Sequence, residues 1–151
     1  MKPVLIAAFA AACLTSAAPA VVRAAEGAAK TTWDGVYADA QARRGEALYS
    51  ARCQECHGVE GSGGNAPALA GAEFATGWDG IALSDLFERV RTTAPASNPG
   101  SLNRNEIADV ISYLLELNGF PSGPSDLPDT ADSLKPIRFV TRRGPSVSAT
   151  R

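Results

Sequence analysis

Cys53-Gln54-Glu55-Cys56-His57 is the stretch on which the reading of this chain turns. Two thiols stand with two residues between them, and the imidazole that follows is the only histidine in 151 residues. In an oxidising compartment the two cysteines could close a disulfide. A thioredoxin-like C-x-x-C would want a βαβ setting, and no strand pattern stands out anywhere in the sequence. A zinc site wants four ligands, usually drawn from separate segments, whereas here three soft donors sit in one pentapeptide.

Taken with its histidine, the pentapeptide has the form C-x-x-C-H, the attachment signature for c-type haem. The spacing gives the reason. Two sulfurs separated by two residues can meet the two vinyl positions on one edge of a porphyrin, and the adjacent imidazole can then reach the iron from below. Cys53, Cys56 and His57 are therefore the candidate cofactor-binding residues, His57 the candidate metal ligand, and one covalent haem c the expected cofactor.

Working outward, the spacing predicts a helix from about Val36 to Cys53, with Ala42, Gly45, Leu48, Tyr49 and Arg52 on one face. Residues 58–80 are rich in glycine and predict a loop with little regular structure. Ser84 can cap a short helix from Asp85 to about Thr92 that buries Leu86, Phe87 and Val90. Pro95 and Pro99 then open a second loop. The clearest helix runs from Arg104 to about Leu117. Asn103 is a good N-cap, and Glu106 can reach back to the cap's N–H. Ile107, Val110, Ile111, Leu114 and Leu117 recur at three and four and make one apolar face. Asn118-Gly119, with Pro121 beyond, is a stop signal. Such a core is all-α and small, and a buried prosthetic group would supply its missing apolar centre.

The two ends differ from the middle. Met1-Lys2, the apolar run from Val4 to Ala18 and the small residues around Ala20, Ala24 and Ala25 follow the plan of a secretory signal peptide over residues 1–25. A retained anchor is the competing reading, but the run falls short of the ~20 residues that span a bilayer. Lipidation at Cys13 is a further alternative. Loss of residues 1–25 leaves 12 basic against 16 acidic side chains, a formal charge of about −4, which does not suit a nucleic-acid binder. Residues 26–35 read as a linker, 36–121 as the folded domain, and 122–151 as an extended tail, with Leu134 and the Ile137–Val140 run as the part that could lie on the domain.

The sequence resembles the class I c-type cytochromes. Besides the attachment motif, Gly45 and Tyr49 precede Cys53 at that family's spacing, and Val110-Ile111-Ser112-Tyr113-Leu114 resembles its final helix. The resemblance implies three to five helices wrapped round one covalent haem. It implies that the first and last helices cross closely at Gly45, with Tyr49 against Val110 and Tyr113. Pro67-Ala68-Leu69-Ala70-Gly71 resembles the family's proximal loop, which implies that the Pro67 carbonyl accepts a hydrogen bond from the haem-ligating histidine. Trp33–Tyr37, Arg91–Thr93 and Asn98–Leu102 are similar to small exported cytochromes associated with quinoprotein dehydrogenases. Such a protein would be a periplasmic one-electron carrier, not an enzyme, with a redox partner protein such as a quinoprotein dehydrogenase and no membrane association.

One departure stands out. The family places its sixth haem ligand, a methionine, just before a proline after the short middle helix, and in this sequence that position is Ala94, before Pro95. The single methionine is Met1. An open or water-bound sixth position is the expectation, with Lys30, Lys135, Asn98, Asn103 or the mature N-terminal amine as remote donors. A five-coordinate haem protein that binds or senses a diatomic ligand is the alternative function.

Overall fold

The computed structural model describes residues 29–144. The expected signal peptide, including Met1 and Cys13, lies outside the described residues. Within them the chain forms β1 (Lys30–Thr31), a 3-10 turn (Thr32–Asp34), α1 (Asp39–Arg52), α2 (Gln54–His57) and a second 3-10 turn (Val59–Gly61). There follow α3 (Ala72–Trp78), α4 (Leu83–Thr93), α5 (Arg104–Leu117), α6 (Ala131–Leu134) and β2 (Ile137–Arg138). This is a helical bundle of about six helices, with one two-stranded pair at its edge. No helix among the described residues is long and apolar enough to cross a membrane.

The frame is α1 packed across α5. α5 begins as its sequence dictates. Asn103 Oδ1 accepts from the Glu106 N–H at 3.0 Å, and Glu106 Oε2 accepts from the Asn103 N–H at 2.8 Å, closing a reciprocal cap. Ile107, Val110, Ile111 and Leu114 are buried, Leu117 is half-covered, and Gly119 follows at φ 77°. On α1 the buried face is Gln41, Ala42, Gly45 and Tyr49. Arg52 is exposed, contrary to the expectation that it shares this face, because a guanidinium loses too much hydration in an apolar contact. α1 starts at Asp39 rather than Val36. Val36 and Tyr37 enter the core instead, where the Tyr37 hydroxyl donates to the Phe120 carbonyl at 2.7 Å. Burial, then the nearby Glu116 and Asp39 carboxylates, push that phenol up to about 12.

Gly45 marks the crossing point. A Cβ there would collide with the Asp109 carbonyl, so only glycine lets the backbones approach this closely. Tyr49 and Tyr113 pack beside it with ring centroids 5.4 Å apart. Arg44 locks the same crossing, with Nε and Nη2 each donating to Asp109 at 3.0 Å and Nη2 also reaching Asp126 at 2.8 Å.

Three local expectations are corrected. α3 forms inside the glycine-rich segment 58–80, because Phe74, one turn from Trp78, packs on Phe139 and Trp78 packs against the core. α4 starts at Leu83, one residue before the expected cap. Ser84 is buried inside the helix, and Ala82 holds the cap position without a side-chain bond. A strand pair exists after all, but two residues are too few to show a period of two in sequence.

The chain ends carry more structure than a linker and a tail. β1 pairs in parallel with β2, Lys30 beside Ile137 and Thr31 beside Arg138. Beyond α5 the chain crosses Gly35 at Gly123, and the Gly123 N–H donates to the Tyr37 carbonyl at 2.6 Å. Gln41 then holds both backbone groups of Leu127, at 2.6 and 3.1 Å. α6 lies on α4 and buries Leu134 fully. Phe139, 1 % exposed, ends the circuit between Phe74 and Phe120.

Candidate haem-attachment site

The pentapeptide sits where α1 stops. The Cys53 N–H still donates to the Tyr49 carbonyl at 2.8 Å, but its backbone (φ −124°) leaves the helix. One short turn, α2, follows, with the His57 N–H on the Cys53 carbonyl at 3.0 Å. Three residues apart on such a turn, Cys53 and Cys56 lie on one side of it. Both thiols are free: Cys53 is half-buried against the core and Cys56 is exposed. Burial, and secondarily Cys56, pushes the Cys53 thiol up, so it is held as a neutral S–H.

Gly58 ends the turn at φ 77°, and a Cβ there would strike the Gly63 carbonyl. The loop then folds back on the pentapeptide. The Gly63 N–H donates to the His57 carbonyl at 2.7 Å and the Ala66 N–H to the Cys56 carbonyl at 2.9 Å. Within this loop His57 Nδ1 lies 2.7 Å from the Pro67 carbonyl oxygen. A carbonyl can only accept, so Nδ1 carries the proton and Nε2 keeps its lone pair for another partner.

Two residues steady this loop that sequence reasoning did not single out for it. Tyr49 donates from its hydroxyl to the Gly58 carbonyl at 2.8 Å. Asn118, read only as a helix stop, accepts from the Gly71 N–H at 3.1 Å and donates to the Leu69 carbonyl at 3.0 Å and the Leu114 carbonyl at 2.8 Å. Asparagine at the end of a helix gives the stop signal. Nothing local tells that its amide will bridge to a loop almost fifty positions earlier.

Cys53, Cys56, His57 and Pro67 thus form one unit. Ala94 belongs to another element, at the C-terminal end of α4, half-buried, with its N–H on the Val90 carbonyl at 3.0 Å. Its methyl group offers no donor atom. Of the remote donors, Asn103 is engaged in the cap of α5. Lys135 Nζ donates to Asp132 at 2.6 Å, and that carboxylate holds the ammonium above its usual range, which works against the neutral amine that iron would need.

The donor set fits a c-type haem. Two free thiols on one turn can form thioethers, and an imidazole with Nδ1 already satisfied has Nε2 left for iron. The core also leaves apolar side chains half-covered, among them Leu69, Trp78 and Val90.

A family model described as cytochrome C oxidase, cbb3-type, subunit III matches residues 40–114. The match runs from the start of α1 through most of α5 and includes the whole pentapeptide. It relates the chain to c-type cytochromes in general, at a distance, and not specifically to the monohaem class I or dehydrogenase-associated kind. It stops short of residues 115–144. No curated protein and no solved structure gives a significant match.

Proposed function

We propose that the protein is a monohaem c-type cytochrome that carries single electrons in the periplasm. The observation that carries this reading is the His57 Nδ1 to Pro67 carbonyl contact beside two free cysteines, in a chain with no second histidine. Cys53 and Cys56 would hold the haem through thioethers, and His57 Nε2 would ligate its iron. The haem, once bound, supplies a one-electron couple. The chain does the rest. Pro67 fixes the imidazole plane and raises its basicity. Tyr49 and Asn118 hold the loop that carries Pro67. The half-covered apolar side chains would help to shield the bound group from water.

The partner in this reading is another redox protein. The resemblance favours a quinoprotein dehydrogenase, and the name of the matched family favours a respiratory oxidase assembly. The protein would relay electrons without turning over a substrate of its own. A second reading has one specific observation behind it: Ala94 stands where a methionine ligand is expected, and residues 29–144 contain no methionine. On that reading the sixth position is open, the potential is lower than with methionine ligation, and the ferrous form binds CO or NO.

Expression in a host competent for cytochrome maturation tests both. Mass spectrometry should show one covalent porphyrin, and the optical and EPR spectra of both oxidation states should report the axial ligands. A colourless product without added mass overturns the haem reading. A sharp low-spin ferrous spectrum before any ligand is added overturns the open sixth site and leaves the electron carrier standing.

A further inference from the structure

The segment that follows α5 does more than cover surface. Between Ala131 and Thr141 it makes contacts that converge on α3, α4 and the turn between them. The Gly80 N–H donates to the Phe139 carbonyl at 2.7 Å and the Phe139 N–H to the Ile81 carbonyl at 2.9 Å, so residue 139 is stitched into that turn from both sides. The Thr141 N–H and hydroxyl both donate to Asp79 Oδ1, at 2.8 and 3.0 Å. Arg138 bridges Ala82, the cap residue of α4. The Phe139 ring meets Phe74 of α3 with centroids 6.1 Å apart, and Leu134 is buried where α6 packs on α4. The far side of the segment is anchored in its turn. Trp33 Nε1 donates to the Val140 carbonyl at 2.7 Å, and Thr32 Oγ1 accepts from the Val140 N–H at 3.1 Å.

α4 is an eleven-residue rod with Ala94 at its end. Whatever pins its first turn and its flank also sets where Ala94 and the following loop stand. We propose that residues 131–141 are a strap that positions α4, Ala94 and the 94–101 loop, the part of the chain that would face the sixth-ligand side of a bound haem. The inference rests on the haem reading above. It is independent of which electron partner the protein has. Trp33, Phe139 and Leu134 are positioning residues: they act on the sixth-ligand side through α4.

The test uses full-length holoprotein carrying Trp33→Phe, which keeps the ring but removes the N–H donor, or Phe139→Leu, which keeps an apolar side chain but removes the aromatic contacts. Amide hydrogen exchange and CO association to the ferrous form after flash photolysis are read on each. Exchange in α4 and the 94–101 loop should rise by about tenfold, while amides of α1 and α5 stay near wild type. CO association should quicken severalfold, since access to the iron is a steric property of that side. An equal rise in exchange across the molecule would reduce the strap to general stability and overturn the proposal. Raised exchange in α4 with unchanged CO kinetics would overturn it too. Failure of the haem reading would look different, because wild type itself would then lack a Soret band.

Discussion

At the scale of single residues, the candidate site is a set of backbone carbonyls waiting for specific donors. Pro67 is a case in point. Its role in the structure is played by a carbonyl oxygen that every residue owns, 2.7 Å from His57 Nδ1. Pro67→Ala is therefore expected to keep the contact and shift the haem potential little, whereas an insertion between Ala66 and Pro67 that moves the carbonyl should change it strongly. Redox titration of the two variants checks this. The two cysteines are also unequal. Cys56 is exposed, while burial pushes the Cys53 thiol up. In protein made without haem, a thiol reagent at neutral pH should modify Cys56 well before Cys53, because the thiolate is the nucleophile. Peptide mapping of the labelled protein gives the order.

At the scale of elements, the crossing of α1 and α5 decides the geometry. Gly45→Ala would drive a methyl group into the Asp109 carbonyl, and neither backbone can yield without parting the helices. A loss of about 3 kcal/mol is expected, at the upper end for overpacking, and urea unfolding would measure it. Tyr49 and Tyr113 would part with the helices, and the Tyr49 hydrogen bond to Gly58 would weaken. The same substitution should therefore disturb the loop around His57. The two helices were readable in advance because their signals are local, an uninterrupted apolar face and a reciprocal cap at Asn103, whereas their crossing at Gly45 was what the family resemblance implied. α3 was not readable, since a seven-residue helix carrying Gly77 has no local signal strong enough to outweigh its glycine-rich surroundings.

At the scale of the whole molecule, the strap turns a small helical core into a closed circuit. Leu134 is fully buried beneath α4. Leu134→Ala should cost about 2–5 kcal/mol, the range for emptying a core leucine site, and denaturant unfolding would show it. The far end of the strap is pH-sensitive. Hydrogen bonds from Thr141, backbone first, hold the Asp79 carboxyl below its usual range. A carboxyl whose folded value is depressed contributes stability that is complete above its unfolded value of about 3.9 and fades as pH falls through the folded one. The difference in thermal midpoint between wild type and Asp79→Ala should therefore hold near neutrality and vanish in stronger acid.

What the sequence alone determined is what neighbours along the chain can decide: the C-x-x-C-H pentapeptide, the capped last helix, and the absence of a methionine at residue 94. What only the tertiary structure decided is the course of residues 120–141 and of β1. Their contacts join groups far apart in sequence, such as Trp33 and Val140, separated by 107 positions. Two-residue strands and a lone phenylalanine have no periodicity of their own. They are fixed only when α3, α4 and the N-terminal segment are already in place to receive them.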